Sequence, residues 1–269
     1  MVSATLPVEW WRIHMKDSPK AVRRFKFTGR EIHAWPVIVR GSNFLVAKFE
    51  SLLSPDEINR AAAFRFEDLR RSFLLSRGAL RILIGSYLEV APEEVLLIHG
   101  SHGKPGLAQP VAGSPAFEFN VSHSGEIALF AFTSGCELGV DIEQVRPLED
   151  LTKVSSHFFS REESEELLSL PPDERERAFF LCWTRKEAYV KAVGNGLSIP
   201  LDSFRVTLRP GEPARFLHLD HDVSPAQAWT LHDLEVANGY AAALAYRDAP
   251  RPVRLQPLME MEELLSLGG

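Results

Sequence analysis

The chain has 269 residues, 45% of them hydrophobic, and a formal net charge of −6 at pH 7. That is enough apolar material for one large domain or two modest ones. The acidic balance excludes general nucleic-acid binding, which needs a basic surface to displace counterions from the phosphate backbone. The only two cysteines, Cys136 and Cys182, stand among apolar or aromatic residues. They exclude a disulfide framework or a Cys-rich zinc site and read as buried thiols in a reducing, cytoplasmic setting. No secretory pattern opens the chain and no apolar run of about 18 residues could span a bilayer, so no membrane partner is expected.

Residues 1–35 mix Trp10, Trp11 and Trp35 with charges at no clean period and read as an extension on the surface of the body. Val37–Val39 and Phe44–Phe49 then suggest a β-hairpin turning at Gly41-Ser42-Asn43. Ser54-Pro55-Asp56-Glu57 combines an N-cap, a proline in the first turn and a capping-box glutamate, which together start a helix. A longer helix follows from about Phe66 to Leu88, with Phe73, Leu74, Leu80, Leu83, Ile84 and Tyr87 as its buried stripe. Six arginines lie between positions 60 and 81.

The Gly-, Pro- and Ser-rich stretch from Gly100 to Pro115 reads as loop. Phe117–Val121 and Ile127–Phe132 read as paired strands, and Leu138-Val140-Ile142 continues the alternation. Ser160-Arg161-Glu162-Glu163 is a second capping box, opening a helix that stops at Pro171-Pro172. The next helix runs from about Asp173 to Val193 and ends at Gly194-Asn195-Gly196. Strand-like runs at 204–208, 215–219, 228–234 and 240–246 complete the chain. The expected organisation is α+β, with an extension (1–35), an N-terminal half (36–135) and a C-terminal half (136–269).

Three segments carry the chemistry. On a strand, Asp141 and Glu143 project from one face while Val140 and Ile142 face the other way. Two carboxylates so spaced suit a hard cation completed by phosphate and water, although a solvated strand edge also explains them. On the helix, Trp183, Glu187 and Lys191 recur at four-residue steps with Lys186 on the flank, placing a carboxylate between two ammonium groups; a surface Glu187–Lys191 pair is the plainer alternative. Ser122, His123 and Ser124 end a strand, where they can donate to phosphate oxygens or simply close a turn. No glycine-rich phosphate loop and no G-x-S-x-G elbow occurs, so side chains such as Lys104 and the arginines at 60, 71 and 77 must supply positive charge.

Taken in order, Phe119-Asn120-Val121-Ser122-His123-Ser124, Gly139-Val140-Asp141-Ile142-Glu143 and Trp183-Thr184-Arg185-Lys186-Glu187-Ala188-Tyr189-Val190-Lys191 resemble the signature of the Sfp-type 4′-phosphopantetheinyl transferases. Gly103-Lys104-Pro105 upstream and Gly196-Leu197-Ser198-Ile199-Pro200-Leu201 downstream extend the likeness to about residues 37 to 260. The resemblance implies a cytoplasmic, monomeric, magnesium-dependent enzyme that moves the phosphopantetheine arm of coenzyme A to a serine of an apo acyl or peptidyl carrier protein. It also implies a pseudo-two-fold pair of α+β halves, each a small, mostly antiparallel sheet packed with a long helix, with one site at their junction. By the same resemblance Asp141, Glu143 and Glu187 bind the metal, and Lys186 and Lys191 neutralise the pyrophosphate. Ser122, His123 and Lys104 contact coenzyme A, assisted by Arg60 and Arg77, whereas Arg71 sits one residue out of register. Glu187 is the first candidate for the base that takes the serine proton, and Glu163 the second. A noncatalytic coenzyme A or carrier-protein binding module of the same fold, and a pyrophosphate hydrolase using the same metal pair, remain as alternatives.

Overall fold

A computed structural model describes residues 25–99, 104–108, 116–194, 199–219 and 228–267. The first strand, β1 (Ile32–Ile38), is buried along nearly its whole length because it is paired on both sides. Antiparallel β5 (Ile127–Ser134) lies against one edge, and β4 (Phe117–Ser124) follows beyond it. On the other edge β1 pairs in parallel with β11 (Val253–Leu255) through Ile32–Ala34 and with β12 (Met259–Glu260) through Val37–Ile38. Pro36, which has no amide hydrogen to offer a neighbour, falls in the interval between those two pairings. β1 therefore begins inside the expected extension, and residues 253–260 return to the first sheet.

The segment 44–49 is a helix, α1 (Asn43–Glu50), and not the second strand of a hairpin. Ser42 caps it by accepting from Leu45 N at 3.3 Å. Its buried set of Leu45, Val46 and Phe49 has helical spacing, while Phe44 remains exposed. The two capping boxes are formed as the sequence predicts, one on α2 (Pro55–Ala62) and one on α5 (Arg161–Ser169). Helix α3 (Glu67–Leu88) covers the first sheet with Leu74, Leu80, Leu83 and Ile84 wholly or almost wholly buried. Within the stretch expected to be loop, β3 (Pro105–Leu107) pairs with β2 (Leu97–His99). Residues 100–103 and 109–115 of that stretch, and Asn195-Gly196, lie outside the described residues.

A second sheet orders β6 (Leu138–Gln144), β10 (Tyr240–Tyr246) and β9 (Thr230–Asp233), all antiparallel. Helix α6 (Pro172–Val193) covers it, preceded by α4 (Leu151–Phe158) and α5. A small ladder of β7 (Phe204–Val206) and β8 (Phe216–Leu219) flanks it, and α7 (Met261–Leu265) closes the chain against the first core.

Three apolar clusters hold this arrangement. One lies between α3 and the first sheet, another between α6 and the second. The third is shared between the sheets, where Ile32, Ala34, Leu129 and Ala131 meet Leu138, Val140, Ile142, Leu244 and Tyr246. Both cysteines are free and buried, as expected. Among the described residues no helix is long and apolar enough to cross a membrane.

Candidate functional site

The two sheets meet along β4 and β6, and side chains sew this seam in place of a backbone ladder. Asn120, Ser122 and Ser124 recur at period two on β4 and therefore share one face. Asn120 Oδ1 accepts from Val140 N at 3.1 Å, and Ser122 Oγ donates to Asp141 Oδ1 at 2.7 Å. Ser124 Oγ donates to Glu143 Oε2 at 2.6 Å and accepts from Gln144 N at 3.0 Å. The hydroxyls beside His123 are thus donors to the strand-borne acids.

Helix α6 brings the third acid because Gly139 lets it lie flush on β6. A Cβ at that position would stand 2.1 Å from Ala188 O and 2.2 Å from Ala192 N, closer than any real contact. Ala241, Ala243 and Ala245, paired with Glu143, Asp141 and Gly139 on β10, keep the same face shallow. Glu187 and Lys191 consequently reach the seam. Lys191 Nζ donates to Asp141 Oδ1 at 2.6 Å and to Ser122 Oγ at 2.9 Å.

Asp141 is buried, yet its Oδ2 has no hydrogen-bond partner among the described residues. Burial raises the pKa of Glu187 above the ordinary carboxylate range, and repulsion from Asp141 and Glu143 adds to this against the pull of Lys191. Glu143 is raised too, first by burial and then by Asp141, with Ser124 and Lys191 opposing. The three acids therefore feel one another across the seam, although among the described residues no three His, Cys, Asp or Glu side chains are gathered as a finished metal cluster. His123 is exposed at the end of β4, and dehydration followed by repulsion from Lys191 lowers its pKa.

Lys186 and Glu163 lie away from the seam. Lys186 is fully buried on a different side of α6, donating to Leu201 O at 2.7 Å and Phe204 O at 2.5 Å and pairing with Glu163 Oε2 at 2.7 Å. Its ammonium faces away from the seam, because four residues on from Glu187 the helix returns to Lys191, whereas one residue back turns about 100° away. Glu163, weighed as a second proton acceptor, is engaged in the same way: its carboxylate accepts from Ser160 N at 3.0 Å and Val206 N at 2.8 Å besides holding Lys186.

Lys104 donates to Lys191 O at 2.9 Å and Leu138 O at 3.3 Å, capping the end of α6 where Gly194 turns left-handed at φ 78°. Arg77 faces Glu57 at 3.6 Å, and the guanidinium groups of Arg60 and Arg77 both lie over the Phe73 ring. Arg71 donates to Asn43 Oδ1 and Gly41 O. The contacts of these arginines are with α1, α2 and α3, not with the acids of the seam.

Two contributors escaped the sequence reading. Gly139 could have been found, since a glycine inside a strand marks close backbone approach. Arg185, wholly buried and held by Asp233 through Nε at 2.9 Å and Nη2 at 2.6 Å, has no sequence signal beyond its place beside Lys186.

Comparison with known proteins places this geometry in a family. Residues 137–245 match the 4′-phosphopantetheinyl transferase superfamily, and residues 42–134 match the 4′-phosphopantetheinyl transferase N-terminal family. The 4′-phosphopantetheinyl transferase HetI of a Nostoc species is 37% identical over 215 residues, covering 80% of this chain and 87% of its own length. The 4′-phosphopantetheinyl transferase Sfp of Bacillus subtilis is 30% identical over 220 residues, covering 81% and 92%. A crystal structure of a holo-(acyl-carrier-protein) synthase from Bacillus anthracis superposes on 42% of this chain and 96% of its own, with 18% identity and a TM-score of 0.35. With β4, β6 and α6 all inside the matched spans, the chain belongs to the 4′-phosphopantetheinyl transferase superfamily.

Proposed function

We propose that the seam transfers the 4′-phosphopantetheine arm of coenzyme A to a serine hydroxyl of an apo acyl or peptidyl carrier protein, releasing adenosine 3′,5′-bisphosphate. The observation that carries this reading is Lys191 Nζ, 2.6 Å from Asp141 Oδ1 and 2.9 Å from Ser122 Oγ, beside two further acids and a buried carboxylate oxygen with no partner among the described residues. An ammonium group next to an unsatisfied acidic cluster suits a ligand that is itself anionic and arrives with a cation.

The donor set fits magnesium: hard carboxylate oxygens, one of them orphaned, with mutual repulsion that an added positive charge would relieve. Asp141, Glu143 and Glu187 would hold it. When bound, such an ion draws negative charge from the diphosphate and makes the bisphosphate a better leaving group.

The remaining work belongs to the chain. Lys191 orients phosphate oxygens while Ser122 holds it against Asp141, with exposed His123 at the rim and exposed Arg60 assigned to the nucleotide end. The carrier serine oxygen attacks the phosphorus that bears the pantetheine arm, the bridging P–O bond breaks, and the electron pair leaves on the bisphosphate. Glu187, directly or through water, accepts the serine proton, a role that its raised pKa favours. Positioning and electrostatics account for most of the acceleration. A cytoplasmic monomer is the setting consistent with this chemistry.

The test is mass spectrometry of apo carrier proteins incubated with the chain, coenzyme A and magnesium. The expected result is a gain of one phosphopantetheine arm on the carrier serine. Coenzyme A consumed at the same rate without a carrier would replace the transferase by a pyrophosphate hydrolase, and binding without turnover would replace it by a binding module.

A further inference from the structure

Adjacent to Glu187, α6 carries two wholly buried cations, Arg185 and Lys186, neither of which reaches the seam. Lys186 Nζ lies 4.4 Å from the centre of the Phe204 ring, in addition to its two carbonyl acceptors and Glu163. Through Glu163 it is tied to the first turn of α5 and the end of β7. Cys182, one turn earlier on α6, points its Sγ at the same carboxylate from 3.7 Å. On the other flank Arg185 grips Asp233 of β9 and the carbonyls of Thr207 and Glu212.

A buried ion pair is a poor device for stability alone, since its desolvation cost largely offsets its attraction. What directional bonds do supply is a fixed rotation: an apolar helix face can slip against its neighbours, whereas an ammonium seated on two carbonyls and a carboxylate cannot. We infer that the Glu163–Lys186 pair is a positioning device, holding α6 in the axial rotation that sets Glu187 and Lys191 against Asp141. This rests on the transferase reading for its functional consequence. Lys186 and Glu163 act through Glu187 and Lys191 and touch no reacting atom.

Lys186→Met alone leaves a buried carboxylate unpaired and confounds unfolding with misplacement, so the informative protein is the Glu163→Gln/Lys186→Met double variant. Thermal unfolding, steady-state kinetics against coenzyme A and apo carrier, amide exchange across 187–191 and a crystal structure are to be compared with the wild type. The expected outcome is a cooperatively folded protein with KM for coenzyme A nearly unchanged, kcat lowered by on the order of 10²-fold and faster exchange in that turn. Unchanged kcat in the folded variant would overturn the inference. So would a loss confined to KM that deepens at low ionic strength, the mark of direct phosphate contact by Lys186, or a loss that vanishes wherever the variant is fully folded. If the wild type itself transfers nothing, the transferase reading fails separately. The crystal structure then decides: Lys191 still on Asp141 overturns the positioning role, and a displaced Lys191 upholds it.

Discussion

Helix α6 carries two lysine–carboxylate pairs five residues apart, and they have opposite characters. Lys186 and Glu163 are sealed from solvent with nearly every polar atom of the pair engaged. Lys191 and Asp141 sit at the seam between sheets, where Lys191 is about a third exposed, one oxygen of Asp141 is unpaired and two more acids stand by. A satisfied pair holds structure, and an unsatisfied one has capacity left for a ligand. The same residue types thus form a closed pair on one side of the helix and an open one on the other, and the exposure of the lysine together with the unpaired oxygen of Asp141 makes the difference.

The largest effect should fall on the sealed pair. Glu163→Ala strands a buried ammonium and two backbone donors, and urea unfolding should show a loss of about 3–5 kcal/mol. Equal stability would dissolve the contrast between the pairs. At the seam, Glu187→Gln should lower carrier modification by on the order of 10²–10³-fold while leaving the fold intact. Because that change removes a repelled, dehydrated charge, its unfolding midpoint at neutral pH should rise; a fall would mean Glu187 is structural.

Gly139→Ala tests the approach that joins strand to helix. The added methyl would meet helix backbone rather than a yielding side chain. The expected loss is about 1–3 kcal/mol, with reduced activity even in the folded fraction. An unperturbed enzyme would show that α6 does not need to lie flush on β6.

Titration sharpens the contrast with carboxylates outside the site. Although dehydration opposes it, hydrogen bonds from Thr28 N, His33 and Thr28 Oγ1 hold Glu31 at about 2, below its ordinary 4.5. Its stabilisation is therefore complete above 4.5 and lost as pH falls toward 2, a loss that Glu31→Gln should abolish in acid unfolding curves. Glu187 has the reverse sign: with its folded pKa raised, its favourable contribution is complete below 4.5 and is lost as pH rises through the raised value. The smallest effect is expected from Arg71→Ala, which removes surface bonds to Asn43 and Gly41. A thermal shift larger than that of Gly139→Ala would show that this corner has been undervalued.

Local signals were legible wherever a short stretch supplies its own physics. Both capping boxes, the left-handed glycine closing α6 and the strands β4, β5 and β6 follow from neighbours in sequence. Phe44–Phe49 misled because a short apolar run has no decisive period, and only packing against α3 selects the helical face. The role of Lys186 was unreadable for a related reason. Positions 186 and 187 differ by one step on the helix, and which of them faces an anion depends on what lies against each side.

The residues themselves determined where the capped helices begin and where α6 ends, which strand positions share a face, and that acids at 141 and 143 lie on one strand face while an acid at 187 and a lysine at 191 share one helix stripe. Tertiary structure alone decided that Gly139 admits α6 to β6, that residues 253–260 return to the first sheet, and that Glu163 and Lys186 are consumed by each other. The division has a physical cause: caps and periodicities act within a turn or two of chain, whereas burial and ion pairing are set by segments far apart in sequence that meet only when the two sheets close on each other.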